Sequence, residues 1–180
     1  MRTALALTLL TVVAAAPLLA QGGPQVGDLA PDFTLTVAGR DGVAAKPLTL
    51  SALRGQTVVL AFFPRARTSG CTIQMKAYRD QYDDLFNGGK GVVVLPISTD
   101  SAGALASWAA DEKFPFQFAS DVDGVAGRLY ATLIDGRKAE SRVLFVIGPD
   151  GRIASVMRPF REIDATAYSE LAASVKAVSK

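Results

Sequence analysis

The sequence predicts an α/β fold, a central mixed β-sheet flanked by helices, and three observations predict it. Residues 57–63, TVVLAFF, are a near-continuous run of β-branched and aromatic residues, the pattern of a strand buried on both faces. A second such run, VVVLPIS at 92–98, follows a segment of helical spacing, so the two strands should lie parallel across a right-handed helical crossover. Residues 142–158, RVLFVIGPDGRIASVMR, place two β-rich runs around Gly-Pro-Asp-Gly. This is a hairpin that adds antiparallel strands at one side of the same sheet.

Taken in order, the chain opens with Arg2, an apolar centre from Ala4 to Ala16 and a small-residue exit from Pro17 to Ala20. That is the layout of a secretory signal peptide occupying residues 1–20, with cleavage expected after Ala20. A retained membrane anchor is the competing reading of the same apolar run. Residues 21–180 read as one domain, without repeat, low-complexity tract or linker. FTLTV (33–37) alternates as a short strand, and GRDG (39–42) turns the chain. LTLSALRG (48–55) reads as a strand edge followed by a short helical turn, capped at Ser51 and stopped at Gly55.

Pro64 ends the first buried strand. From Ser69, the expected N-cap, Ile73, Ala77, Tyr78, Tyr82, Leu85 and Phe86 recur at helical spacing until Gly88-Gly89. Residues 101–112 read as a helix capped at Asp100 or Ser101, with Leu105, Trp108 and Ala109 on one face. DVDGVAGRLYATL (121–133) reads as a turn and a short helix, and residues 164–178 as a closing amphipathic helix. The phenylalanines of KFPFQF (113–118) read as core or rim packing. The resulting order is that of a thioredoxin-like fold.

Composition narrows the chemistry. The 180 residues are 49% hydrophobic, enough for one compact core. The net charge of +2 is spread along the chain, so no nucleic-acid footprint is expected. With no histidine and one cysteine, no metal site is expected, and nothing in the sequence calls for a cofactor.

That one cysteine, Cys71 in FPRARTSGCTIQ (63–74), is expected in the first turn of a helix, directly after a buried strand. The thiolate is the reactive form of cysteine, and unsatisfied N–H groups at a helix start favour a negative charge there. Arg65 and Arg67 precede it and Lys76 and Arg79 follow, although all four read more readily as solvated surface than as catalytic groups. Thr68 supplies a hydroxyl three residues before the thiol, and Pro64 stiffens the loop. A hydroxyl, a backbone N–H and an arginine fork together can hold two oxygens beside a sulfur, the geometry wanted for attack on an O–O bond. The plain alternative for Cys71 is a small buried hydrophobe.

PRARTSGC (64–71) fits the Pro-x-x-x-Thr/Ser-x-x-Cys motif of the peroxiredoxins. The stretch from GDLAPDFTL (27–35) through residues 50–80 to RVLFVIGPDGRI (142–153) resembles the alkyl hydroperoxide reductase/thiol-specific antioxidant family. FPFQFASDVDGVAGRLY (114–130) is most similar to the bacterioferritin-comigratory-protein branch. The resemblance spans about residues 26 to 160. It implies that Cys71 is the peroxidatic cysteine, that Thr68 orients the peroxide and that Pro64 shields the site. Arg142 corresponds to the arginine that activates thiolate and peroxide. The implied substrate is hydrogen peroxide or an organic hydroperoxide.

The sequence departs from that branch at Lys76, where a resolving cysteine often stands, and at Ser69, where proline is frequent. No intramolecular disulfide is possible. An external thiol or thioredoxin-like reductant would have to resolve the oxidised sulfur, and the chain would act as a monomer or homodimer. A thiol–disulfide oxidoreductase would want Cys-x-x-Cys, and the sequence here is Cys71-Thr72-Ile73-Gln74. The alternative from another class is an exported redox-sensing or partner-docking module without turnover.

Overall fold

The expected mixed sheet is present in the computed structural model, which describes residues 22–179. The signal segment and its cleavage after Ala20 lie outside the described residues. The strands are β1 (Thr34–Gly39), β2 (Gly42–Val43), β3 (Leu48–Thr49), β4 (Thr57–Phe62), β5 (Val92–Ser98), β6 (Phe118–Ser120), β7 (Val143–Ile147) and β8 (Ile153–Met157). The helices are α1 (Ser69–Asp80), α2 (Tyr82–Phe86), α3 (Ala102–Glu112), α4 (Val125–Leu129) and α5 (Ala165–Val178). The order across the sheet is β2-β1-β6-β5-β4-β7-β8, with β3 paired to β1.

β4 is the central strand. It runs parallel to β5 in register Thr57↔Val92 through Phe62↔Ile97, and antiparallel to β7 from Val58↔Ile147 to Phe62↔Val143. Every β4 side chain is buried because both sheet faces are covered. Val59, Ala61 and Phe63 enter one core with Cys71, Tyr78, Trp108 and Leu171. Val58, Leu60 and Phe62 enter the opposite core with Phe33, Tyr130 and Phe145. The period-2 alternation of a strand thus divides a seemingly uniform apolar run between two layers.

Three local expectations are corrected in these elements. The helical run splits at Gln81 (φ −114°, ψ 27°) into α1 and α2. Ile73, placed on the apolar face by spacing, is exposed. The helical turn at Leu50–Leu53 starts after Thr49 rather than at Ser51. Phe118 lies in the core, as expected of the KFPFQF phenylalanines, and begins β6, a three-residue strand parallel to β5 and antiparallel to β1, too short to carry an alternating pattern. The helices expected over 101–112 and 164–178 are present. Ser101 caps α3, its Oγ accepting from Ala104 N–H at 3.3 Å, and Asp164 caps α5 by accepting from Thr166 N–H at 2.9 Å.

Candidate active site

The chain leaves the C-terminal end of β4 at the middle of the sheet and turns immediately into α1. Phe63 N–H still bonds to Ile97 O at 3.0 Å, so the strand's direction is fixed up to half-buried Pro64. Two anchors hold the following loop. Ala66 N–H donates to the Asp100 carboxylate at 2.7 Å, and the Arg67 guanidinium engages Ser107 at 3.1 Å and Asp111 on α3. Arg67 takes the left-handed conformation (φ +64°), unusual for a residue with a side chain, which turns the loop into the helix.

Thr68, not Ser69, is the N-cap of α1, because Thr72 N–H makes the first helical bond to Thr68 O at 2.8 Å. The Thr68 hydroxyl does not cap. It donates to Arg65 O at 3.0 Å, which leaves its lone pairs open. Among the described residues the N–H groups of Ser69, Gly70 and Cys71 therefore point from the helix start without a partner. Cys71 sits three residues into this turn, 1% exposed, with its sulfur in the core beneath the loop.

Arg142, just before β7, reaches the same point. Its Nη2 donates to Cys71 Sγ at 3.4 Å, its Nη1 donates to Gln74 Oε1, and its Nε pairs with the Glu162 carboxylate at 3.1 Å. Gln74 is fully buried and donates in turn to the Tyr78 hydroxyl at 2.8 Å. Burial pushes the Tyr78 phenol well above its ordinary range, so it stays neutral. Three of the guanidinium's N–H directions are thus assigned, and the one at Nη2 is given to the sulfur. Arg142 is 12% exposed and Glu162 24%, so this ion pair is only partly wetted.

The segment that carries Glu162 is itself fixed. Phe160 N–H bonds to Arg142 O at 3.0 Å, and Tyr168 Oη donates to Glu162 O at 2.7 Å. Gly70 makes room for the arrangement, since a Cβ there would collide with Glu162 Oε1 and lie 3.3 Å from Arg142 Nη2.

Cys71, Thr68 and Pro64 therefore lie on one loop–helix corner, and Arg142 is brought to the sulfur from the neighbouring strand. The other basic residues are not part of this cluster: Arg67 pairs with Asp111, and Lys76 and Arg79 pair with Glu112. Gln74 and Glu162 are the polar members that sequence reasoning missed. Gln74 left a signal, a polar side chain three residues after Cys71 on a buried helical face. Glu162 left none.

Residues 26–156 match the AhpC/TSA family. Peroxiredoxin Bcp of Escherichia coli K12 is 36% identical over 146 residues, covering 76% of this chain and 87% of that protein. Peroxiredoxin Q of Sedum lineare, a chloroplast protein, is 32% identical over 151 residues, covering 78% and 74%. Among solved structures, peroxidoxin BcpB of Mycobacterium tuberculosis superposes with a TM-score of 0.72 at 26% identity, over 86% of this chain and 98% of that one.

Proposed function

The chain belongs to the AhpC/TSA family and is a thiol peroxidase, and we propose that Cys71 is the peroxidatic residue, with Thr68, Arg142 and Pro64 completing the site. The observation that supports this assignment best is the Arg142 Nη2 donor 3.4 Å from Cys71 Sγ, at a helix start with three open N–H groups. The fork and the amides offer donors beside the sulfur and stabilise charge developing on the peroxide. The thiolate attacks one peroxide oxygen. The S–O bond forms as the O–O bond breaks, and the departing oxygen takes a proton to leave as water or an alcohol. The Thr68 hydroxyl accepts from the peroxide's O–H and Pro64 limits water at the loop.

The sulfenic acid is returned to thiol in two steps. An external thiol displaces water to give a mixed disulfide, and a second thiol releases Cys71. As the only cysteine, Cys71 has no internal partner, so the electrons come from outside. At 1% exposure its sulfur is out of reach of a protein thiol, and resolution requires the 64–70 loop or the 158–164 segment to move. The signal-peptide layout of residues 1–20 supports export, with the mature protein beginning after Ala20 and working in the periplasm or outside the cell as a monomer or homodimer. The redox-sensing alternative is not favoured, since a sensor would not need a positioned arginine fork.

Rapid mixing of the mature protein with one equivalent of hydrogen peroxide tests the reading. Sulfenic acid on Cys71, trapped and located by mass spectrometry, is expected to form orders of magnitude faster than on free cysteine. A rate no faster than that of free cysteine would remove the peroxidase assignment. Gly70→Ala gives a finer check. The added methyl should push the Glu162 carboxylate off Arg142 and slow Cys71 oxidation by about tenfold. Stability should move by less than about 1 kcal/mol, because the displaced atom ends a partly exposed side chain and alanine suits a helix better than glycine. A slow variant with a large loss of thermal stability would show that Gly70 serves the fold instead.

A further inference from the structure

Behind the strand that carries Arg142 lies a second polar cluster with no part in the chemistry above. Glu140 is completely buried, and no hydrogen-bond donor reaches its Oε1. Its Oε2 accepts from Thr132 Oγ1 at 2.6 Å. Gly127 of α4 packs directly on the carboxyl, and a Cβ there would stand 2.5 and 2.7 Å from the two oxygens. The group facing Glu140 is another buried acid, Asp121, close enough for a side-chain hydrogen bond. The Asp121 oxygens are already satisfied as acceptors, one by Val125 N–H at 2.7 Å and the other by Gly127 N–H at 2.7 Å. The charged residues nearest in sequence, Asp123, Arg128, Asp135, Arg137 and Lys138, are exposed. Arg142 is committed to Cys71, Gln74 and Glu162.

Two ionised carboxylates buried side by side without a cation would repel strongly, and an orphan oxygen would remain unsatisfied. One proton on Glu140, donated to Asp121, resolves both problems. The proton also has a structural output. Thr132, held by Glu140, accepts through its carbonyl from Ser141 N–H at 2.6 Å and from Ser141 Oγ at 2.9 Å. Leu133 and Glu140 form a β-bridge. Ser141 immediately precedes Arg142, whose own carbonyl is fixed by Phe160 N–H.

We propose that Glu140 is a positioning residue, a neutral carboxylic acid hydrogen-bonded to Asp121, whose proton holds the 132–141 loop and thereby the strand end from which Arg142 reaches Cys71. The proposal rests on the peroxidase reading for its kinetic output but not for its structural claim. Burial, opposed by the Thr132 hydrogen bond and assisted by the Asp121 charge, pushes the Glu140 carboxyl up to about 7. Because the folded value is raised, the stabilisation is complete below the ordinary carboxylate range and is lost as pH rises through about 7. Above that pH the loop carries two buried negative charges, and Arg142 loses its fixed base.

E140Q separates this from a general structural role, because a glutamine amide can donate to Asp121 and accept from Thr132 at every pH. The rate of Cys71 oxidation by hydrogen peroxide is measured from about pH 6 to about pH 8.5 in both proteins, so that thiol ionisation cancels in their ratio. The ratio of variant to wild type should rise about tenfold across that range. In parallel, the infrared carbonyl stretch of a protonated carboxylic acid should be present in the wild type at about pH 6, fade by about pH 8.5 and be missing in E140Q. A flat ratio, or no such band at about pH 6, overturns the proposal. If E140Q fails to fold, the wild-type band alone decides whether Glu140 is protonated. If the wild type reacts no faster than free cysteine, the peroxidase reading falls while the band still tests the acid pair.

Discussion

Arg142→Met should slow the oxidation of Cys71 by hydrogen peroxide by about two to three orders of magnitude, the loss typical when one preorganised donor is removed from developing charge. Three links are cut at once: the Nη2 contact to Sγ at 3.4 Å, the Nη1 bond to Gln74 and the ion pair to Glu162 at 3.1 Å. They differ in what they do for stability. Glu162 is partly exposed and regains water. Gln74 is buried and loses its acceptor's partner, a cost of about 1–3 kcal/mol. The informative companion is Arg142→Lys, which keeps the charge but not the fork. A lysine ammonium cannot meet a sulfur, an amide oxygen and a carboxylate in the directions a planar guanidinium serves. Lysine is therefore expected to recover less than a tenth of the wild-type rate. Stopped-flow measurement of both variants, with denaturant melts, checks this, and a lysine variant within threefold of wild type would reduce the role of Arg142 to its charge.

The corner that holds Cys71 was legible in sequence because its determinants are local. A doubly buried strand, a proline that ends it and a helical pattern starting within six residues leave little freedom in where the thiol sits. The mixed sheet was legible for the same reason, since β4, β5 and the β7–β8 hairpin each announce themselves. What escaped depends on long-range placement. β6 is a strand only because β5 and β1 flank it. Glu162 stands twenty residues beyond Arg142 and meets it only after β7 and β8 have doubled back and Phe160 and Tyr168 have docked the intervening segment. Glu140 reads as one more charge in a loop of charges until Asp121 and Gly127 close over it. The N-cap shifted from Ser69 to Thr68 because Arg67 adopts a left-handed turn that spacing does not encode.

Tyr78 is where the core and the site meet, and Tyr78→Ala should carry the largest stability loss, about 3–5 kcal/mol, out of the 5–15 kcal/mol typical of a folded domain. Its ring is fully buried and packs edge-on against Phe86 at 5.2 Å and Tyr168 at 6.3 Å, with Phe116 and Phe160 each at 6.4 Å. Two of those partners, Phe160 and Tyr168, also dock the segment bearing Glu162, so the cavity would loosen both sides of Arg142. A slow alanine variant alone would not say whether packing or the hydroxyl matters. Tyr78→Phe keeps the ring and deletes only the acceptor for Gln74 Nε2. Its stability cost should be about 1–2 kcal/mol. Its rate should nonetheless fall several-fold, because the phenol anchors the NH2 end of the Gln74 amide whose oxygen Arg142 holds. A double-mutant cycle with Gln74→Leu isolates that link. Once Gln74 is gone, deleting the hydroxyl should cost almost no further rate, a coupling of about 1 kcal/mol or more in the activation free energy. Additive losses would mean that Tyr78 and Gln74 support the site separately, and the chain of bonds from core to sulfur would end at Gln74.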